Sequence, residues 1–364
     1  VVVTAACTAC GEPVGPDDRF CEGCGAAVTP DPAASAPPAS PTPAPVDPAA
    51  ADPGATPTAA PAVAAAGPCA SCGATDGADP DGFCLACGVR RNRPRDHVET
   101  DLTTIAAVTD KGPRKTRNED ACAVALLDTG GFVLAVCDGV SNVARSDEAS
   151  QAACEAAVAV LRDVPEGAET TALMGRAAAA ASAAVVGLAP GALGGEPPSC
   201  TFLAARWTPT EGITVGWIGD CRAYLVGPDG ARALTTDHSW GTEAVRSGLL
   251  SQAEADADGR SHAITRWLGA DAGAEPVPDV VCEPVPPGAP SWLVAVSDGA
   301  WNYLDGPADL TRFLPAGGPL DAARRITDHA VAGGGHDNIT AVVALVGGPA
   351  LPDDPAPLSD TEQP

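Results

Sequence analysis

Phe132-Val-Leu-Ala-Val-Cys137 is an unbroken apolar run, and Asp138-Gly139 follows it without a spacer. A short apolar run bounded by a turn signal reads as a buried strand, here with a carboxylate at its tip. The same pattern recurs along the chain. Ile213-Thr-Val-Gly-Trp-Ile218 runs into Gly219-Asp220, and Trp292-Leu-Val-Ala-Val296 runs into Ser297-Asp298-Gly299. Asp337 stands just before Ile339-Thr-Ala-Val-Val-Ala-Leu345, and Asp120 follows Asn118-Glu119. Taken singly, each aspartate also reads as an ordinary turn or strand-end residue. Five in one domain point to a site, because several carboxylates converging at a sheet edge repel one another unless cations lie between them. Oxygen donors with no clear histidine among them favour Mg²⁺ or Mn²⁺ over zinc. Two such ions bridged by one carboxylate can activate a water and polarise a phosphoryl group.

Between the strands, residues 147–163, 169–188 and 320–332 read as helices. Ser146 stands where it could cap the first, and Gly333-Gly-Gly335 supplies a stop for the third. The pattern is globular from 98 to 347. A Pro- and Asp-rich tail, 348–364, follows. The chain of 364 residues, 45% hydrophobic, suits one large domain with small appendages. Its 21 basic and 47 acidic residues give a net charge of −26. That balance argues against nucleic acid or an anionic membrane surface as the main partner, since both need a basic patch. No stretch has the ~18–20 apolar residues of a membrane span, and residues 177–189 read as an Ala-rich packed helix. Val1-Val-Val-Thr4 lacks the basic start and apolar core of a signal peptide. The expected location is cytoplasmic.

Eight of the 14 cysteines form four CxxC pairs. Cys7/Cys10 with Cys21/Cys24 occupy residues 5–27, and Cys69/Cys72 with Cys84/Cys87 occupy 68–90. Each pair is followed by glycine, and the two clusters are an internal repeat. Two such turns supply four thiolates to one tetrahedral ion, which suits structural zinc and leaves no open position. These units resemble zinc ribbons, with one Zn²⁺ each. A thioredoxin-type redox CxxC lacks its βαβ context here. The ribbons would be structural or would dock a protein partner. Between them, residues 28–67 are almost all Ala, Pro, Asp, Ser and Thr, a composition expected to form a disordered linker. Residues 91–97, with Arg91, Arg93 and Arg95, form a short basic hinge. Cys122, Cys137, Cys154, Cys200, Cys221 and Cys282 read as small core fillers.

Arg117-Asn-Glu-Asp-Ala121, Val136-Cys-Asp-Gly139, Gly219-Asp-Cys-Arg222, Asp237-His-Ser239, Ile264-Thr-Arg-Trp-Leu-Gly269, Ser297-Asp-Gly-Ala-Trp301 and Gly335-His-Asp-Asn-Ile-Thr340 occur in this order. With that order and spacing, residues 100–346 resemble the type 2C metal-dependent serine/threonine protein phosphatases, in their bacterial signalling branch. The resemblance implies an α+β fold, a four-layer α/β/β/α sandwich of two antiparallel sheets flanked by helices, here preceded by two small ribbons. It implies hydrolysis of phosphoserine and phosphothreonine in proteins by a water activated between two Mn²⁺ or Mg²⁺ ions. By the same likeness Asp138 bridges both ions, with the Gly139 carbonyl as a further ligand. Asp120 serves one ion, with Glu119 acting through water. Asp298 and Asp337 hold the other, and Asp220 matches the position for a third, weaker ion. The implied partners are phosphorylated proteins, a Ser/Thr kinase or its substrates.

The chain departs from the family at several points. Lys115 stands where the family places a phosphate-binding arginine, with Arg114 and Arg117 nearby, so Lys115 or Arg114 would grip phosphate. Lysine offers a point charge without the guanidinium fork. The usual glycine-rich stretch reads Val140-Ser-Asn-Val-Ala-Arg145, whose Arg145 could meet an anionic substrate. Cys221 replaces the usual serine. No histidine follows Gly139 as a candidate acid. His238 and His336 read as loop or hydrogen-bonding residues, and 243–268 resembles the family's flap. The competing reading is a catalytically weak, phosphatase-shaped binding module acting through its ribbons. The four retained metal carboxylates favour the enzyme.

Overall fold

The computed structural model describes residues 93–347 apart from 129, 141–144, 165–166, 168, 189–195, 274, 286–289 and 315–316. Before residue 93 it describes 5–6, 13–14, 69, 72–75, 77, 83–88 and 91. The expected linker 28–67, the tail 348–364 and the cysteines of the first cluster, Cys7, Cys10, Cys21 and Cys24, lie outside the described residues. The chain divides into two compact units, Val1–Ala62 and Val63–Pro364. In the first, Ala5–Ala6 pairs antiparallel with Pro13–Val14. The second holds the two large sheets, the helices and the second cysteine cluster.

Two antiparallel sheets make the body of this unit. The six-stranded sheet runs Gly230–Ala233, Arg222–Gly227, Ser291–Val296, Ile339–Val346, Ile105–Asp110, His97–Asp101. The five-stranded sheet runs Asp279–Glu283, Gly212–Ile218, Phe202–Thr208, Phe132–Asp138, Asp120–Leu126. Their central strands are mostly apolar because both faces are covered. From the opening strand, Phe132, Leu134 and Val136 pack between the sheets with Leu203, Val215, Leu293 and Val342. Val133, Ala135 and Cys137 point the other way, into a layer completed by helices Ser146–Arg162 and Thr170–Gly187. Across the molecule, Ile339, Ala341 and Val343 face helix Pro319–Ala332 through Ala323, Ile326 and Ala330. Helix, sheet, sheet and helix therefore stack around three apolar layers, as expected. Phe132, Phe202 and Leu134 are wholly buried, and each such side chain contributes about 1.5–3 kcal/mol.

Helix Ser146–Arg162 buries Ala149, Ala153 and Ala157, four residues apart and therefore on one face. Its start differs from expectation. Arg145 occupies the capping position in a left-handed conformation, φ 66°, and no side chain caps the helix. Ser146 is the first helical residue, and its hydroxyl is engaged by Glu119 instead. Glu169 does cap the next helix, accepting the N–H groups of Thr171 and Ala172. At the end of the third helix Gly333 is right-handed, φ −71°, and the left-handed turn falls at Gly334 and Gly335. Of the six scattered cysteines, Cys137, Cys154, Cys200 and Cys221 are buried and Cys122 is half-buried. Cys282 is exposed on edge strand Asp279–Glu283 and fills no core.

Strand Ser291–Val296 leads through Ser297 into the one-turn helix Asp298–Trp301. At Gly299 the backbone lies so close to the Asn338 carbonyl that a Cβ would collide with it. The neighbour is backbone and cannot swing aside, so Gly299→Ala should destabilise the domain by about 3 kcal/mol or more. Urea unfolding followed by circular dichroism checks this, and a midpoint equal to wild type would contradict the packing.

Candidate active site

The strand-tip aspartates gather at one end of the two sheets. Asp120 begins its strand and Asp138 ends the next, and the register sets them directly opposite. Like charges facing each other across a ladder are unfavourable. Asp298 starts the one-turn helix, and Asp337 precedes Ile339–Val346. Asp120 Oδ2 accepts the hydroxyls of Ser297 at 2.6 Å and Thr340 at 2.7 Å. Asp120 lies in the five-stranded sheet, whereas Ser297 and Thr340 stand at the ends of the two middle strands of the other. These two bonds therefore clasp the sheets together beneath the site. Asp120 Oδ1 and Asp298 Oδ1 are buried and accept no hydrogen bond. An orphaned buried carboxylate oxygen is costly unless something positive approaches it.

Electrostatics point the same way. Burial raises Asp120 to about 7, helped by Asp298 and Asp337 and opposed by the Ser297 and Thr340 hydroxyls. Burial raises Asp220 to about 8, with Asp298 and Asp237 adding to it. Asp298 rises to about 6 through burial and Asp337, while a hydrogen bond shared with Asp138 works against the rise. Withdrawal from water pushes Asp138 well above the carboxylate range, and Asp120, Asp298, Asp337 and Asp220 all contribute. The five expected aspartates thus act on one another as a single group. Their oxygen-only donor set, with two unpartnered oxygens, fits hard divalent cations. We call this spread group of carboxylates the aspartate trough, and its members do not meet at one point. Among the described residues, only Cys69, Cys72, Cys84 and Cys87 bring three or more ligand atoms within 4.8 Å of one another.

Cations of the chain border the trough. Lys115 Nζ lies 2.8 Å from Asp337 Oδ1. Burial works against its charge, but Asp337, then Asp138 and Glu119, hold its pKa above the usual lysine range. Arg114 is exposed. Arg117 grips Glu119 through Nε at 2.8 Å and Nη2 at 2.7 Å, so Glu119 has a fixed orientation beside Asp120. Arg145, expected to meet substrate, instead makes two bonds to Glu148 and one to the Leu188 carbonyl. The rest of the altered loop, 141–144, lies outside the described residues. Gly139 is hemmed in by the carbonyls of Ser146 and Glu119, where a Cβ would clash.

Histidines stay out of the carboxylate group. His238 Nδ1 accepts the Gly219 N–H at 3.0 Å, and the His336 N–H donates to the Tyr303 hydroxyl at 3.0 Å. Sequence reasoning missed Asn338. Its Oδ1 accepts the Glu119 N–H at 2.9 Å, while its Nδ2 donates to the carbonyls of Lys111 at 2.8 Å and Arg117 at 2.9 Å. One side chain thus ties the 111–119 loop to the strand of Asp337. Ser297 and Thr340 were missed as well. The only signal was a polar residue beside each strand-end aspartate. In the second cysteine cluster, Cys69 Sγ lies 3.7 Å from Cys87 Sγ, and Cys72 Sγ lies 3.7 Å from Cys84 Sγ.

A family model described as protein phosphatase 2C matches residues 112–314. The serine/threonine phosphatase stp of Listeria innocua is 28% identical over 245 residues, 65% of this chain and 92% of that protein. Other curated relatives, streptococcal and mycobacterial, are matched over about half of their own length. The crystal structure of the Mycobacterium tuberculosis serine/threonine phosphatase PstP/Ppp superposes with a TM-score of 0.58 at 26% identity, covering 67% of this chain and 98% of that one. A structure of the PstP catalytic domain, solved in complex with two manganese ions, shares the fold with a TM-score of 0.55 at 24% identity.

Two expectations follow from the trough. Without metal, the native carboxylates retain protons up to about pH 6–8 that unfolded aspartates release near pH 4. The folded state then binds more protons, so stability must fall as pH rises through that window. Metal-free protein should melt about 5–10 °C higher at pH 5.5 than at pH 8, equivalent to about 2–3 kcal/mol, and Mn²⁺ should restore the loss. Calorimetry at both pH values tests this. Separately, Lys115→Met removes a positive charge from Asp337. Mn²⁺ should then bind about 3–10-fold more tightly by calorimetric titration, and weaker binding would contradict the ion pair's role.

Proposed function

This chain belongs to the protein phosphatase 2C family, and from that premise we infer that it is a protein-serine/threonine phosphatase acting through the aspartate trough. The carrying observation is the pair of orphaned oxygens, Asp120 Oδ1 and Asp298 Oδ1, among mutually raised carboxylates. Asp138 is assigned to two divalent cations together with the Gly139 carbonyl. Asp120 goes to one of them, with Glu119 in its outer sphere, and Asp298 and Asp337 to the other. Asp220 is assigned to a third, weaker one. When bound, Mn²⁺ or Mg²⁺ would polarise the phosphoryl group and supply a nucleophilic water at neutral pH.

The protein's own groups do the rest. Opposed strand tips fix Asp120 and Asp138, and the Ser297 and Thr340 hydroxyls hold Asp120 in one orientation. Asn338 sets the height of the loop that carries Lys115 and Glu119. Lys115 Nζ receives the phosphate oxygens and turns partly away from Asp337 to do so. Lys115 fits this role better than Arg114, because its charge faces the trough and that of Arg114 faces solvent. The substrates are proposed to be phosphorylated proteins of a Ser/Thr kinase pathway in the cytoplasm. Among the described residues no helix is long and apolar enough to cross a membrane. The converging thiols of Cys69, Cys72, Cys84 and Cys87 support one structural zinc. The first cluster is assigned a second zinc by its repeated motif. A protein partner for these units completes the proposal.

Full-length protein should hydrolyse p-nitrophenyl phosphate and a phosphothreonine peptide with Mn²⁺ and stop on chelation. Asp138→Asn should lower kcat/KM by roughly 10³-fold, about 4 kcal/mol of transition-state stabilisation. A wild-type chain inert with both metals and several phosphopeptides would leave the binding-module reading, which the lysine at 115 favours. Elemental analysis should find about two zinc per chain.

A further inference from the structure

The stretch that joins the second cysteine cluster to the sheets is bonded at both ends. Arg91 is only 6% exposed, and its Nη2 donates to the Ala74 carbonyl at 3.3 Å. The same carbonyl accepts the Cys69 N–H at 2.9 Å, and the Gly73 N–H returns to the Cys69 carbonyl at 2.7 Å. Arg91 therefore grips the turn that aims Cys69 and Cys72 at their common point. Further on, Pro94–Asp96 makes a 3₁₀ turn. Asp96 Oδ2 accepts the Arg93 N–H at 2.9 Å, and the Arg93 carbonyl accepts the Asp96 N–H at 2.9 Å. Asp96 is 6% exposed.

Two carbonyls of this turn meet the active-site loop. Asp96 O accepts the Lys111 N–H at 2.7 Å, and Arg95 O accepts Asn118 Nδ2 at 3.2 Å. From there the bonds run on into the site. Lys111 Nζ donates to the Lys115 carbonyl at 3.0 Å, and Asn118 Oδ1 accepts the Asp120 N–H at 3.3 Å. The 111–118 loop has no helix or strand of its own. Its position depends on these bonds, on Asn338, on the bonds of Gly112 to Asp110 and of Asn118 to Thr109, and on the Lys115–Asp337 ion pair.

We propose that Arg91 and Asp96 are positioning residues through which the metal-filled cysteine cluster holds the 111–118 loop, and with it Lys115, over the aspartate trough. This rests on the reading of the trough as a phosphatase site. Filling a four-thiolate cluster supplies folding free energy to its turns. An emptied cluster loosens the Ala74 turn, frees Arg91, and removes the restraint on the loop. Such coupling is reciprocal in binding free energy: phosphate on Lys115 must tighten metal binding by the cysteines.

Hydrogen–deuterium exchange on the full chain tests it without needing turnover. In Cys84→Ser and in Arg91→Ala, amides of 111–118 should exchange about 5-fold faster or more, with helix 319–332 unchanged. In the same variants KM for p-nitrophenyl phosphate should rise about 3–10-fold while kcat and the Mn²⁺ requirement hold. In the wild type, inorganic phosphate should raise the zinc affinity measured by equilibrium competition with a colorimetric chelator. If Cys84→Ser exchanges rapidly throughout, Arg91→Ala alone decides. Unchanged exchange of 111–118 in Arg91→Ala overturns the proposal. A wild-type chain without phosphatase activity would overturn the reading of the trough, and the exchange result would still judge the coupling.

Discussion

Mutual repulsion among buried carboxylates at one end of two sheets is the constraint that organises this molecule. At an effective dielectric of about 20, two unit charges 4 Å apart cost about 4 kcal/mol, and five aspartates share this space. The fold answers in three ways. Hydroxyls of Ser297 and Thr340 turn one oxygen of Asp120 into a clasp between the sheets. Lys115 and Arg117 bring positive charge to Asp337 and Glu119. The remaining oxygens are left for cations. The apolar layers on either side hold the strand tips still while they repel one another.

Four strands were legible as apolar runs, three of them running into an aspartate and the fourth following Asp337, and burial on both faces removes the alternation that would blur their limits. The four layers were implied by the likeness to the family. Helix positions were legible too, but the first helix start was not. Ser146 has the right chemistry for a cap, and a carboxylate 27 residues away claims its hydroxyl. Contacts of that kind set the limit of sequence reading. The clasp joins residues 177 and 220 positions apart, and Asn338 reaches back 219 positions to Glu119. No local spacing encodes them. Arg145 shows the converse, since a basic residue near a site invites a substrate role until its neighbour Glu148 is seen to hold it.

Lysine at position 115 changes the balance of the site. A guanidinium would present a fork to two phosphate oxygens, whereas an ammonium is one strongly hydrated point charge. Here that point charge rests on Asp337, so the group proposed to bind phosphate is also one that a cation would have to displace from that carboxylate.

Strand His97–Asp101 closes one side of the six-stranded sheet. It is short and largely exposed and carries His97, Glu99 and Asp101, with Arg324 clamped on Glu99. Charged, short edge strands discourage a second molecule from extending the sheet. The strand inside it, Ile105–Asp110, is the opposite: apolar and almost wholly buried. The residues next to the hinge thus act as a guard rail for the whole sheet. A protease cut or shortened gene that removed them would leave the strand-tip aspartates in the chain and expose an adhesive border, turning a guarded edge into a seed for aggregation.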